Sequence, residues 1–446
     1  MSLAEQNKLI EVAEVILANT SELCKKLSQH SIVPPASLDV GTSSGLWTTH
    51  DSDIGRLRSS ILGQIQQLDK LLEGPHGFLH EYVSTNWEYG ALYALLEHDV
   101  LEKIPLDGST VTAAVLAEQT GLPADKLLRI CRLVATVGIL QEPVEGSFKH
   151  TAISETLVKD EGYKSFIHFQ LFETRVASAH LADSLKKPNP FWKEGQAAFE
   201  HAWGMPMYDW HAKNPEKGKR FAQAMESVSK NLDAGNGMII DWLSRSKNFG
   251  QGDKSPLVVE VSGKTGSFSH QLATIFPNFH LEVQDSSSQL LQRGKQSLPR
   301  ALADRVRFNQ RDLFEPRPIK EVKGDNGSRP VVFLLRGVLW NLDDSEAIKL
   351  LQSFIPAMGS VVDGPLLVIS DLVSPAFGTF EPHVERAFRR RDVTLMTMHN
   401  VKQRTASEWG KLIQSASSKF KVTYAEKFTS HSCRGLWKVQ LAEDGA

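Results

Sequence analysis

The sequence is poor in cysteine, has no long apolar run and carries almost no net charge. Its 446 residues include only Cys24, Cys131 and Cys433. These cysteines lack a metal-binding spacing and indicate no disulfide framework, which favours a reducing compartment. No apolar run approaches the ~20 residues that a membrane-spanning helix needs. Residues 1–20 form an amphipathic pattern rather than a signal peptide. We therefore expect a cytosolic protein with no metal site and no membrane contact.

The balance of charges argues against nucleic acid as a partner. Lysine and arginine number 50 and aspartate and glutamate 52, giving a formal net charge of −2. Nucleic-acid-binding proteins usually carry a basic excess. The basic run of Arg386 and residues 389–391 is local, and such a run is more often a solvated helix face than an anion site.

The first part of the chain is predicted to be helical. Apolar residues recur at helical spacing in residues 1–30 and 51–74, on either side of a loop rich in proline, glycine and serine. Residues 86–155 have the pattern of a winged helix, with two helices followed by short extended pieces around Gly146. A helix-turn-helix can bind DNA, but its second helix has few basic residues, so a structural role is favoured.

Residues 156–245 are predicted to be helices rich in aromatic and methionine side chains. Most of these side chains are expected to be core. A subset is predicted to line an apolar cavity for a small molecule, because aromatic and flexible side chains form the walls of such cavities. This subset contains Phe169, Phe172, Trp203, Met207 and Met396.

After a hinge at 244–256, strand-like segments alternate with helical ones. The segments are LVVEVS (257–262), HLEVQD (280–285), RVRFNQRDL (305–313), PVVFLLR (330–336) and PLLVISDLV (365–373). This alternation predicts an α/β domain with a doubly wound, mostly parallel sheet. Residues 323–330 are predicted to form a surface turn. The predicted organisation is a helical segment (1–85), a winged helix (86–155), a helical cavity and linker region (156–245) and the sheet domain (246–446).

A glycine-containing turn, SGKTG (262–266), follows the first of these strands, and FLLRGVLWNLDDSEAIKLL (333–351) lies further on. The second segment resembles LLRxVLHDWxDExAxxIL of fungal and plant small-molecule O-methyltransferases that use S-adenosylmethionine (SAM). The segments PEKGKRFAQAM, LATIFPNFHLEVQD and NVKQRT extend the resemblance over most of the chain. It implies a Rossmann-like methyltransferase sheet, a small-molecule substrate and a homodimer formed through the N-terminal helices and the winged helix.

The resemblance also implies a set of cofactor-binding residues, and this chain departs from the family's pattern among them. The set is Glu260, Gly263, Lys264, Gly266, Asp285, Asp312 and Arg336. Ser262 and Lys264 replace glycines of the family's loop. If the side chain of Lys264 points to solvent, the cofactor has room; otherwise its ammonium group occupies the pocket. The sequence therefore leaves open whether the protein binds SAM.

The catalytic positions that the resemblance implies differ more strongly from the family's pattern. Trp340 takes the place of the family's base histidine, Asn341 that of the neighbouring aspartate, and Gln403 that of a glutamate, while Asp371 keeps the acid after the fifth strand. An indole N–H donates a hydrogen bond but cannot accept a proton. Trp340, Asn341 and Gln403 are predicted to orient a substrate and polarise its carbonyl. Trp340 can alternatively be a wall of the cavity, and Asp371 and His399 are candidate proton carriers.

Three functional hypotheses follow. The favoured one is a pericyclase of fungal secondary metabolism on a methyltransferase fold, because some fungal relatives of this fold have abandoned methyl transfer. Such an enzyme dehydrates a polyketide or pyridone alkaloid intermediate to a quinone methide, then closes it by an Alder-ene or hetero-Diels–Alder reaction. The alternatives are an ordinary SAM-dependent O-methyltransferase and a non-catalytic scaffold of the same fold.

Overall fold

The chain forms two compact units. The computed structural model describes residues 3–49, 52–186, 195–231, 235–246, 255–317, 331–358, 365–428 and 433–442. The first unit consists of Met1–Asn231, Gly378–Arg390 and Thr397–His399, and the second of Leu232–Phe377, Arg391–Met396 and Asn400–Ala446. Most of the predicted hinge (247–254) and the predicted turn at 323–330 lie outside the described residues. The predicted domain boundaries after residues 85, 155 and 245 stay predictions.

The first unit is mainly helical. Its helices are α1 (Leu3–Gln29), α2 (Gly45–Thr48), α3 (Ser52–Glu97), α4 (Ala113–Thr120), α5 (Ala124–Thr136), α6 (Ala152–Lys159), α7 (Glu161–Phe169), α8 (Arg175–Ala179), α9 (Leu181–Ser184), α10 (Ala198–Trp203), α11 (Met207–Lys213) and α12 (Pro215–Asn231), with a π-helical segment at Gln170–Thr174. Leu23 and Leu27 of α1 are buried with Ile54 and Leu57 of α3. Helix α3 kinks at Gly74, whose φ is 66°, because the following proline cannot continue the hydrogen-bond ladder.

The predicted winged helix is confirmed. Helix α4 ends at Gly121, which has a left-handed backbone, and α5 begins three residues later. Strands β1 (Val111–Thr112), β2 (Leu140–Val144) and β3 (Ser147–His150) form a sheet of order β1-β3-β2 that turns at Gly146. Arg132 of α5 donates to Glu142 of β2 at 2.6 Å. Arg132 is one of the few basic side chains of the second helix, and this ion pair holds it against the protein's own sheet.

The second unit contains a sheet of order β6-β5-β4-β7-β8-β10-β9. Its strands are β4 (Leu257–Val261), β5 (His280–Asp285), β6 (Val306–Gln310), β7 (Val331–Arg336), β8 (Leu366–Leu372), β9 (Phe420–Phe428) and β10 (Cys433–Leu441). Strands β4 to β8 are parallel and β10 is antiparallel to both of its neighbours. The five predicted strands and the fold class are confirmed, whereas the sequence analysis did not identify β9 and β10.

Helices pack against this sheet because its central strands are mostly apolar and are buried. The helices are α13 (Asn236–Arg245), α14 (Ser267–Ile275), α15 (Ser288–Ser297), α16 (Asp344–Gln352), α17 (Ile355–Met358) and α19 (Ala406–Ala416), while α18 (Pro382–His399) is divided between the two units. All five residues of β4 are buried, as expected for a parallel strand covered by helices. Val258 of β4 shares a buried cluster with Leu243, Leu272 and Leu291 of three helices. The carboxyl ends of the parallel strands meet at one edge, where ligands of such sheets bind.

Within the described part of the chain, no helix combines the length and the apolar content needed to cross a membrane.

Candidate active site

The loop after β4 turns sharply at the carboxyl edge of the sheet. Ser262, Lys264 and Gly266 have φ angles of 56°, 55° and 72°, in the left-handed region that favours glycine. A Cβ added at Gly263 or Gly266 would lie 2.8 Å from a methyl group of Val283 on β5. Both glycines are therefore needed for the loop to pack. Ser262 and Lys264 adopt a glycine-like backbone at a cost of roughly 1–2 kcal/mol each.

Asp285, the last residue of β5, holds this loop and retains capacity to bind a ligand. Its Oδ2 accepts a hydrogen bond from Lys264 N at 3.0 Å, and its Oδ1 accepts one from Ser287 N at 2.9 Å. A carboxylate can accept about four hydrogen bonds, so about two remain. Two adjacent ribose hydroxyls would use this remaining capacity. The remaining acceptor capacity of Asp285 thus fits the ribose of SAM.

The side chain of Lys264 is exposed. Exposure agrees with the solvent-facing orientation, and the relation of this side chain to a cofactor stays a prediction. Asp312 is also exposed, and its Oδ1 accepts a hydrogen bond from Phe314 N at 2.8 Å, which shapes the turn after β6. Its predicted contact with a cofactor stays a prediction.

Glu260 and Arg336 form an ion pair with each other within the second unit. Glu260 Oε2 accepts hydrogen bonds from Ser269 N and Oγ at 3.2 and 2.6 Å, which fixes the start of α14. Its Oε1 pairs with Arg336 at 3.2 Å, and the Arg336 guanidinium lies over the ring of Phe268. Both residues therefore support the cofactor loop, and a direct contact with a cofactor stays a prediction for them.

Trp340 lies on a short 3-10 turn, Leu339–Asn341, that follows β7. Its indole Nε1–H donates to the backbone oxygen of Gly337 at 3.0 Å. This bond corrects the expectation that the indole is available to donate to a substrate carbonyl. Its alternative role as a wall agrees with the geometry. Asn341 ends the same turn and is partly buried.

Asp371, on β8, positions the turn that carries Trp340. It is fully buried, and its Oδ2 accepts from Leu339 N at 3.0 Å and from Trp340 N at 3.2 Å, while its Oδ1 accepts from Leu372 N at 2.8 Å. Burial raises the pKa of this carboxyl to about 6, despite the backbone donors. Because this carboxyl is fully buried and accepts three backbone hydrogen bonds, the geometry favours a positioning role, and the predicted proton transfer stays a prediction.

Gln403 stands out because its side chain is 5 % exposed while neither its Nε2 nor its Oε1 has a hydrogen-bond partner within the described residues. Its backbone N donates to Asp392 Oδ1 at 2.6 Å. Buried amides nearly always form hydrogen bonds. Gln403 is therefore a candidate for orienting a polar ligand group, and its predicted contact with a substrate stays a prediction.

The predicted cavity residues of the first unit form one aromatic cluster. Phe169 and Met207 are buried in it, and Trp203 packs against it. The ring of Phe172 lies 5.5 Å from that of Trp203. Met396 belongs to the second unit.

His399 belongs to the first unit, and its ring stacks on that of Tyr208 at 5.3 Å. Burial and the neighbouring His211 lower the pKa of His399 to about 4, which makes it a weak base.

The sequence analysis missed an ion pair in this cluster. Glu173 Oε2 lies 2.7 Å from His211 Nε2, and both side chains are buried. The two residues are 38 positions apart on different elements, so no local pattern connects them. Among the described residues, no group of three or more His, Cys, Asp or Glu side chains is arranged to hold a metal ion.

Comparison with known proteins agrees with this architecture. The O-methyltransferase domain model matches residues 179–419. The chain is 66% identical over 418 residues to O-methyltransferase phnC of Penicillium herquei, covering 94% of this chain and 97% of that protein.

Solved structures share the fold at low identity. The structure of OxaC in complex with SAH and oxaline has a TM-score of 0.73 and 18% identity, and covers 98% of this chain and 100% of that one. A structure described as a pericyclic reaction enzyme has a TM-score of 0.67 and 19% identity, and covers 89% and 96%. The matched domain and the extensive identity with phnC place this chain in the O-methyltransferase family.

Proposed function

We propose that this protein is a SAM-dependent O-methyltransferase that acts on a hydroxyl group of a small natural product. The observation that carries the proposal is the 66% identity, over 94% of the chain, with a protein named an O-methyltransferase. The exposed Lys264 side chain and the remaining acceptor capacity of Asp285 support it, because they leave the cofactor loop usable. This reverses the order of preference that the sequence alone indicated.

In this proposal SAM, when bound, supplies an electrophilic methyl group. The chain's own residues bind the cofactor and position the substrate. The backbone of the loop after β4 and the Asp285 carboxylate bind the adenosyl part. Trp340 forms an apolar wall, since its N–H is bonded to Gly337 O. The buried amide of Gln403 orients a polar group of the substrate.

A pericyclase is the second candidate, and the residue at position 340 favours it. Tryptophan stands in place of the base, and Gln403 carries a neutral amide. Trp340 can hold a substrate in one conformation and Gln403 can polarise its carbonyl, and neither step removes a proton. A quinone methide formed by dehydration could then close by an Alder-ene or hetero-Diels–Alder reaction. A structure described as a pericyclic reaction enzyme shares this fold, which supports keeping this second candidate.

One incubation distinguishes the two candidates. The purified protein is mixed with SAM and a panel of hydroxylated aromatic polyketides and pyridone alcohols, and the products are analysed by mass spectrometry. An O-methyltransferase produces SAH together with a product that has gained CH2. A pericyclase produces an isomer or a dehydrated cyclic product while SAM is not consumed, which would overturn the first proposal.

The cofactor site gives a separate prediction. Asp285→Ala should weaken SAM binding by at least about tenfold, because hydrogen bonds to a charged group contribute roughly 1.5–3 kcal/mol each. Isothermal titration calorimetry on protein checked for carried-over cofactor measures this. Asp304→Ala, which removes an exposed carboxylate, is the matched control and should bind as the wild type does. Equal affinities for the Asp285 and Asp304 variants would contradict the assignment.

We also propose that a second copy of the chain covers an apolar surface on α1 and α3. Side chains more than half exposed there are Ile10, Leu17, Leu72, Leu79, Tyr82, Val83 and Trp87. Large exposed apolar surfaces mark protein interfaces. Trp87→Glu should shift the protein from dimer toward monomer in sedimentation velocity, whereas Glu81→Arg on the same helix serves as the charge-change control. A monomeric wild-type protein would disprove the dimer.

A further inference from the structure

The aromatic cluster of the first unit contains two buried polar atoms that have no hydrogen-bond partner among the described residues. They are Nδ1 of His211 and Nε1 of Trp203. The His211 side chain is 7 % exposed. Leaving a polar group buried without a partner costs roughly 1–3 kcal/mol. Two such atoms in one cluster therefore indicate a place where a ligand completes the hydrogen bonding.

Glu173 determines which role His211 can take. Its Oε2 lies 2.7 Å from Nε2 of His211, and its side chain is 1 % exposed. A carboxylate can only accept here, so the proton of the neutral imidazole lies on Nε2 and Nδ1 presents its lone pair. A second proton on Nδ1 would be a buried donor with no acceptor. The pair has the arrangement in which a carboxylate orients a histidine base.

The backbone under Glu173 is unusual. Residues Gln170–Thr174 form a π-helical turn between α7 and α8, and such turns occur frequently at functional sites because they redirect a side chain. Helix α12 also approaches His211 closely, since a Cβ added at Gly218 would lie 3.0 Å from the backbone oxygen of His211. Both features hold the pair in a defined position.

Aromatic rings pack against the rings of both His211 and Trp203. The ring of Trp210 lies 4.8 Å from that of Trp203 and 5.5 Å from that of His211, so it connects them. Phe221 stacks on His211 at 4.8 Å. Flat apolar faces favour a planar aromatic ligand. One acceptor and one donor at such faces select a molecule with a complementary donor and acceptor.

We propose that His211 Nδ1 and Trp203 Nε1–H form a binding site for a planar aromatic molecule that carries both a hydroxyl and a carbonyl group. The hydroxyl donates to Nδ1, and the carbonyl accepts from the indole. When the hydroxyl is acidic, its proton moves to Nδ1, which leaves a phenolate and an imidazolium that Glu173 stabilises. The inference rests on the proposed function for the nature of the ligand as a small hydroxylated compound.

Umbelliferone is a suitable probe because it is planar, has one hydroxyl and one carbonyl, and absorbs at a longer wavelength when ionised. It is titrated with the wild-type protein at a pH below the pKa of the free probe. We expect saturable binding with growth of the anion band. His211→Phe keeps a ring but removes the acceptor, so it should abolish the anion band and weaken binding by at least about fivefold. Glu173→Gln should reduce the band, and Trp203→Phe should weaken binding while the band remains.

Tyr208→Phe, a ring-preserving change in the same cluster, is the matched protein control and should behave as the wild type does. The methyl ether of umbelliferone is the ligand control, since it has no proton to donate. Absence of umbelliferone binding, or equal binding of its ether with no anion band, would overturn the site. Calorimetric SAM binding by each variant checks that the second unit is intact. SAH production with the substrate panel tests the proposed function separately, so the two can fail independently.

Discussion

Replacing Arg404 with alanine should lower the free energy of unfolding by about 3–5 kcal/mol, because removal of one partner leaves the remaining buried groups unsatisfied. The side chain is 1 % exposed. It donates to Asp344 Oδ1 at 2.8 Å, to Leu339 O at 2.9 Å and to Leu342 O at 2.8 Å. It thereby fixes both ends of the turn that carries Trp340. Urea unfolding followed by tryptophan fluorescence measures the change, with Trp409 beneath the guanidinium as a local reporter.

Two further variants make this prediction specific. Arg404→Lys keeps the charge but cannot reproduce the planar fork of donors, so we expect it to recover less than half of the lost stability. Arg245→Ala removes an exposed arginine that pairs with exposed Asp241, and it should change stability by no more than about 0.5 kcal/mol. A similarly small effect for Arg404→Ala would show that the hydrogen bonds from Arg404 to the Trp340 turn contribute little to the free energy of unfolding.

Asp371→Asn should change how stability depends on pH. Burial raises the pKa of the Asp371 carboxyl from 3.8 to about 6, so between these values the folded protein binds a proton that the unfolded chain does not. The stability of the wild type should therefore fall as pH rises from about 4 to about 6, by about 3 kcal/mol from this residue. Asparagine is close in shape to the protonated acid and does not titrate.

The two proteins should accordingly have similar stability near pH 4, and the asparagine variant should be more stable by up to about 3 kcal/mol above about pH 7. Urea unfolding at a series of pH values measures this difference. Parallel pH profiles for the two proteins would contradict the raised pKa. A variant less stable at every pH would instead show that the carboxylate's bonds to Leu339 N and Trp340 N outweigh the cost of burying its charge.

The strands of the second unit could be predicted because their signal is local. LVVEV and VVFLLR are mostly apolar runs, and all five residues of β4 and five of the six of β7 are buried. Strand β9 contains lysines and a glutamate in FKVTYAEKF, so it lacks such a run. Its place in the sheet depends on pairing with β10. The long-range partner, rather than local composition, determines that strand.

The sequence alone predicted the fold class and the glycine-containing turn after the first strand of the sheet, and its resemblance to O-methyltransferases implied that Trp340 stands in place of a base histidine. These features depend on residue types at fixed spacing along the chain. Only the tertiary structure decided that the Trp340 N–H is bonded to Gly337 O, that Lys264 is exposed and that Gln403 is buried without a partner among the described residues. It also brought together Glu173 and His211, 38 positions apart. The physical reason is that side-chain direction and burial are set by helix packing and backbone angles, which one-dimensional spacing does not specify.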